Sequence, residues 1–286
     1  MSSIHDLVSK EIDKLPPLPN TVMKVVELCK DPNLKPRDLN KVISFDPVLT
    51  GKALKLINSA YYALTEKVSS IVRAIIMLGF NTVKNLALTT AVLGQVEKMG
   101  SIGALDMEGF WRHCLGVGVL AKKIAAATGE DPKNIEEYFI AGLLHDIGKI
   151  VLNKAISEDY LQVIKKSDME EKPLIECEKE LLTIDHIDVA RNICSKWNLS
   201  DDLEQAILFH HNPLECNDKS RKVVYCVNVA NIWCNQNSIG FSGNMGPKEI
   251  DKKILNFLGI SEADIYNWEN EIEKRIRDAS VFLKIS

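Results

Sequence analysis

Apolar residues recur along this chain at three- and four-residue intervals, and strand-like alternation never persists, so the period is helical nearly throughout. Leu15-Pro16-Pro17-Leu18-Pro19 is a rigid extended lead-in that its prolines keep out of any helix. Beyond it Val22, Val25, Val26 and Cys29 make one apolar face, which Asp31-Pro32 ends. Pro36 at a first turn precedes Leu39, Val42 and Ile43. Asp46-Pro47 reads as a cap followed by proline at the first helical position, and Leu49, Ala53, Leu56 and Ile57 carry the face onward. Ser70 caps a helix from Ile71 to Leu78, Gly79 stops it, and Asn81 or Thr82 starts a longer one. The first hundred residues thus predict four or five short helices and no catalytic grouping.

The second half keeps the same period. Helices are expected over Phe110 to Ala127, Glu136 to Asp146, Asp185 to Trp197 and Asp201 to His211, where Asn212-Pro213 stops the last. The Glu136 helix is almost wholly apolar from Tyr138 to Leu144, which predicts burial on most sides. Another helix holds Cys226, Val227, Ala230, Asn231 and Trp233. After a loop over Phe241 to Pro247, apolar faces return through Ile250, Ile254, Leu255 and Leu258, and again from Asn267 to Leu283. The expected fold is all-α, in three parts: a helical subdomain over residues 1–100, a helical core over 101–240 and a helical extension over 241–286.

Polar chemistry concentrates in the core segment. Five of the six histidines form an ordered series, His113, His145, His186 and His210-His211, with only His5 outside it. Imidazole is the commonest protein metal ligand, and a carboxylate beside a histidine, as in His145-Asp146, is what a bridge between two ions needs. Taken singly, each histidine reads as a hydrogen-bonded structural residue. Together they would be costly to keep in an interior without a cation. Neighbours on a helix point about 100° apart, so His145 and Asp146 can share one site only if it lies off the helix end. Each ligand candidate is accordingly expected near a helix end.

Bulk properties narrow the function. The chain has 286 residues, 46% hydrophobic and 26% charged, with a net charge of -4. No basic stripe offsets that charge, which disfavours nucleic-acid binding. No apolar run suits a membrane span, and Met1 to Asp6 lacks the features of a signal peptide, so a cytoplasmic location is expected. The seven cysteines include no C-x-x-C pair and read as reduced, buried thiols.

The string from Leu15-Pro16-Pro17-Leu18-Pro19 through Ser44-Phe45-Asp46-Pro47, Ile57-Asn58-Ser59-Ala60-Tyr61-Tyr62 and Ser70-Ile71-Val72-Arg73-Ala74-Ile75 to Leu78-Gly79 resembles the HDOD family. These are bacterial signalling proteins related to the HD-domain metal hydrolases. The resemblance covers residues from about 12 to 215 and implies an HD-domain-like helical bundle with a regulatory role. The histidine series is similar to that of the HD-GYP branch. That likeness implies two divalent ions held by His113, His145, His186, His210 and His211, bridged by Asp146. It points to iron, with manganese, zinc or nickel suiting the same donors. It also implies that Lys149 meets a substrate phosphate; read alone, Lys149 is equally a solvated charge at a helix C-terminus.

Two departures stand out. Where the family pattern has a final aspartate, this chain places Asn231, with Asn228 as the alternative. The segment Asn212-Pro213-Leu214-Glu215 does not resemble the glycine-tyrosine-proline loop of cyclic-di-GMP phosphodiesterases. The expected function is therefore regulatory, through a signalling protein partner or a phosphate-containing small ligand. A metal-dependent phosphohydrolase, with Asp146 and Lys149 as its catalytic residues, is the alternative. Oxygen chemistry at a di-iron centre comes third.

Overall fold

The computed structural model describes residues 3–98, 103–243 and 249–284. Every regular element among them is helical. The first part runs α1 (Ile4–Lys14), α2 (Asn20–Leu28), α3 (Pro36–Ser44), α4 (Pro47–Ile57), α5 (Ile71–Leu78) and α6 (Phe80–Glu97). The core follows with α7 (Met107–Ala127), α8 (Ile135–Leu144), α9 (Ile147–Ala155), α10 (Ser157–Glu170) and α11 (Leu174–Leu182). It continues through α12 (His186–Trp197), α13 (Asp201–Phe209) and α14 (Arg221–Gln236). The tail adds α15 (Lys252–Leu258), α16 (Glu262–Asn267) and α17 (Glu269–Ala279).

Local chemistry explains most of these limits. Asp46 accepts from the Leu49 N–H and Ser70 from the Arg73 N–H, the N-caps expected from the sequence. The helix α1 was not expected. Val8 is its one fully buried hydrophobe, and a Ser3–Asp6 capping box starts it in place of a long apolar stripe. The helix α6 begins at Phe80, before Asn81 or Thr82, because Gly79 at φ 86° both closes α5 and opens α6. The span expected from Asn267 to Leu283 begins only at Glu269, after a break at Trp268, and ends in a 3-10 turn from Ser280 to Lys284. The expected division at residue 100 and most of the Phe241–Pro247 loop fall in residues 99–102 and 244–248, outside the described residues.

Packing centres on α7 and α8. The helix α14 lies against both, α17 covers α7, and α6 joins the N-terminal helices to α8. The helix α1 packs on α9 and α12, where the Lys196 ammonium donates to the Ile12 and Asp13 carbonyls. Two backbone contacts set the spacing of the core. A Cβ at Gly142 would lie 2.6 Å from the Gly118 Cα, so α7 and α8 touch backbone to backbone. A Cβ at Gly148 would lie 1.9 Å from the His186 carbonyl oxygen, so α9 touches the start of α12 just as closely. All seven cysteines are free thiols and six are buried. No helix among the described residues is long and apolar enough to cross a membrane.

Because the neighbour at residue 142 is backbone, no side chain can give way to an added methyl. Gly142→Ala is expected to destabilise the fold by about 1–3 kcal/mol, the usual cost of overpacking. A urea melt checks it; an unchanged midpoint would show that α7 and α8 separate freely.

Candidate metal centre

His145 and Asp146 lie in the corner between α8 and α9. The helix α8 stops at Leu144, His145 caps it, and the Asp146 backbone turns away before Ile147 starts α9. That corner solves the angular problem of two adjacent residues, since the site lies off the end of α8. His186 opens α12, and His210 and His211 follow the last residue of α13. His113 and Asn231 depart from the expectation of helix ends: both project from within long helices, α7 and α14. They reach the site because these helices cross beside it, not because either ends there.

The donors fall into two groups that share Asp146. One contains His113, His145 and Asp146, and the other Asp146, His186, His210 and His211. Within each group the donor atoms all lie within 4.8 Å of one another. Asp146 Oδ2 is 3.3 Å from His145 Nε2, while Oδ1 is 3.5 Å from His210 Nε2 and 3.6 Å from His186 Nε2. His186 Nε2 is 3.1 Å from His211 Nε2. Asn231 Oδ1 is 2.9 Å from His113 Nε2 and also accepts from the Asn235 amide. Asn228 instead donates to the His210 carbonyl, so Asn231 is the asparagine beside the first group.

Proton positions follow from the acceptors. His145 Nδ1 faces the Gly142 carbonyl at 2.7 Å and His210 Nδ1 the Ile207 carbonyl at 2.8 Å. A carbonyl only accepts, so both Nδ1 atoms carry a proton and both Nε2 atoms are turned toward Asp146. His186 Nδ1 lies 2.6 Å from Glu178 Oε2, an oxygen that also accepts from the His186 backbone N–H. Carboxylates orient metal-binding imidazoles in this way. Three imidazole Nε2 atoms thus lie within 3.6 Å of one carboxylate.

Burial keeps protons away. It pushes His210 down to about 4 and His113 down to about 3, and holds His211 well below the usual histidine range. Burial pulls the Asp146 carboxyl the other way, but His145 and Lys149 override it and hold the group well below ordinary carboxylates. His145 Nε2, His210 Nε2, Asp146 Oδ1 and His113 Nδ1 are buried and make no hydrogen bond. Neighbouring donors about 2.1 Å from one octahedral ion stand about 3.0 Å apart. The separations of 2.9 and 3.1 Å match that spacing, and 3.3 to 3.6 Å lies slightly above it. The donor set therefore fits divalent cations, with Asp146 offering one oxygen to each group.

Lys149 corrects one expectation. It is fully buried in the first turn of α9, not a solvated charge at a helix C-terminus. Its ammonium donates to Asp146 Oδ2 at 2.7 Å and to the Ser242 carbonyl at 3.2 Å. Glu178 and Ser242 are members of the site that the sequence reading missed. Glu178 had a legible signal: Leu174, Glu178 and Leu182 share one stripe of α11 at four-residue spacing, which places a carboxylate among buried residues. Ser242 had none, since its loop meets Lys149 only through the fold. Beside His211 a cavity of about 320 Å³ opens, lined in part by Asn228, Glu215, Glu249 and Asp251. None of its described lining residues is a lysine or arginine.

Comparison with known proteins agrees with the helical fold. An HDOD domain protein of unknown function from Geobacter sulfurreducens superposes with a TM-score of 0.76, at 26% identity and 96% coverage of both chains. A Shewanella amazonensis SB2B protein, provisionally named a phosphohydrolase, shares the fold at a TM-score of 0.71, with 22% identity and 99% coverage of both chains. An uncharacterized protein of Treponema pallidum is 24% identical over 254 residues; the match takes in 88% of this chain but only 48% of that protein. The chain thus spans about half the length of this curated relative. The HDOD domain model matches residues 15–213, and with the motif string and the helical fold it establishes that the chain belongs to the HDOD domain family.

Proposed function

We propose that this protein is a cytoplasmic signalling regulator that keeps a binuclear metal centre and acts through binding, not turnover. The observation that carries this reading is the state of Lys149. The residue that the family likeness assigns to phosphate is buried and held by Asp146 and Ser242. A phosphate ester entering beside His211 would meet Glu215, Glu249 and Asp251 instead. Like charges there oppose a polyanion. The N-terminal helices also support partner binding. Phe45, Val48 and Ile76 are exposed where α3, α4 and α5 pack together, and exposed apolar residues of this kind suit a protein partner.

In this reading His113, His145 and Asn231 hold one divalent ion with Asp146, and His186, His210 and His211 hold the second. Iron is the proposed metal; manganese, zinc and nickel accept the same donors. Asp146 is the one carboxylate among these ligands, so two divalent ions with neutral imidazoles carry a net charge of about +3. That charge favours a small phosphate-containing anion bound directly at the ions, in contrast to the larger phosphate esters that the carboxylates beside His211 repel. The proposed division into residues 1–100, 101–240 and 241–286 gives the first part to the partner and the second to the metals.

The complete histidine set supports a second reading, a metal-dependent phosphohydrolase. Bound ions would supply an activated water and a Lewis acid. Asp146 would hold both halves of the centre in register, and Lys149 would have to leave Ser242 to meet the phosphate.

Elemental analysis of protein purified without a histidine tag or chelator is expected to find close to two metal equivalents. A His145→Ala, Asp146→Ala double variant should lose them; metal-free wild-type protein after growth with iron, manganese and zinc would end both readings. Glu178→Gln should weaken metal retention by about 10- to 100-fold, as loss of an orienting carboxylate does elsewhere. Competition with a chromogenic chelator measures it, and equal retention would mean that Glu178 only packs. Asn231→Asp restores a charged ligand and should slow metal loss to a chelator. If that variant also turns over phosphate esters while the wild type does not, the enzyme reading is lost for the natural chain; wild-type turnover would instead favour it.

A further inference from the structure

A second cavity, of about 300 Å³, lies between the N-terminal helices and the core, away from the histidines. Its walls combine apolar residues, Leu18, Leu88, Leu199 and Leu203 among them, with polar ones. Asn85 of α6 also lines it. Asn85 is 1% exposed, yet neither its amide oxygen nor its amide nitrogen has a hydrogen-bond partner. A buried amide with both functions unmatched is rare in a folded interior, where polar groups are paired. For an amide left unmatched in a cavity wall, the most direct account is a partner that arrives from outside.

The chemistry of that partner can be read from the lining. A primary amide presents one acceptor and two donors side by side, which complements a heterocycle edge bearing an adjacent donor and acceptor. At the same cavity stand Lys24 and Lys84, neither of them in an ion pair among the described residues. Of the two lining carboxylates, Glu27 pairs with Lys30 at 3.0 Å outside the cavity, and Glu137 accepts from the hydroxyl of Ser200 on the same wall at 2.7 Å. The volume falls at the lower end of small-molecule sites, about 300–1,000 Å³, and suits a compact ligand over a peptide. We infer that this cavity is a binding site for a mononucleotide, its base on the Asn85 amide and its phosphate on Lys24 and Lys84.

The site is distinct from the metal centre and stands whether or not that centre is loaded. Its position nevertheless links the two. Glu137, Trp197 and Leu203 line the cavity on α8, α12 and α13, the helices whose opposite ends meet His145, His186 and His210. The helix α8 spans about 15 Å at 1.5 Å per residue, so one rigid element joins each pair of ends.

The test is calorimetric titration of the full chain with the four common ribonucleosides, their 5′-monophosphates and ribose 5-phosphate. At least one monophosphate should saturate at one equivalent and bind about tenfold more tightly than its nucleoside, the gain of charge-assisted contacts. A Lys24→Met, Lys84→Met variant should remove that difference. Asn85→Leu should weaken nucleoside and monophosphate alike by about tenfold or more, while melting no lower than the wild type. Should Asn85→Leu fail to fold, Val26→Trp, which fills the cavity from α2, decides the matter by abolishing binding. The inference is overturned if no monophosphate saturates, if Asn85→Leu and Val26→Trp bind normally, or if binding disappears only in the His145→Ala, Asp146→Ala variant. That last result would move the nucleotide to the metal centre and leave the metal reading intact.

Discussion

The structure turns on one electrostatic problem: several imidazoles crowd their Nε2 atoms around a buried, ionised Asp146. Left alone, lone pairs and carboxylate repel one another. Protons would relieve this, but burial makes His113, His210 and His211 poor bases. The proposed divalent cations would relieve it without the cost of a charged histidine in an apolar interior. The surroundings hold the rings ready for that. Gly142 and Ile207 offer carbonyls and Glu178 a carboxylate, each fixing one imidazole in the tautomer that leaves Nε2 free.

Such a cluster forms only if helices approach closely enough. Side chains of one imidazole's length must meet from α7, α8, α12, α13 and α14 at a single point. Gly142 against Gly118 and Gly148 against the His186 carbonyl bring those backbones into contact. These three glycines are there for spacing, since none has a positive φ. Glycine in a helix interior costs about 0.5–1 kcal/mol relative to alanine, and the fold accepts that cost where the site demands it.

Around the centre, the architecture favours holding over release. Lys149 is pinned by Asp146 and by the Ser242 carbonyl, and Phe241 is tied to Gly109 on the α7 side. The same helices that carry ligands at one end reach a separate, partly unsatisfied cavity at the other. A rigid helix that ends in both places would offer a physical route between the proposed ligand and the proposed metal centre, without any change of fold.

Much of this was written in the residue order. Helical period, the caps at Asp46 and Ser70, and the stops at Gly79 and Pro213 depend on local backbone chemistry, so they could be read without a structure. The histidine series and His145-Asp146 were equally legible, because adjacent polar residues at the close of apolar runs are unusual. Tertiary structure alone decided the remainder. The partition of donors between the two oxygens of Asp146, the choice of Asn231 over Asn228, and the burial of Lys149 all depend on distances between helices far apart in sequence. So do Ser242 above Lys149 and the unpaired Asn85 amide. A chain's own order sets which groups a helix face presents; only packing sets what each group then meets.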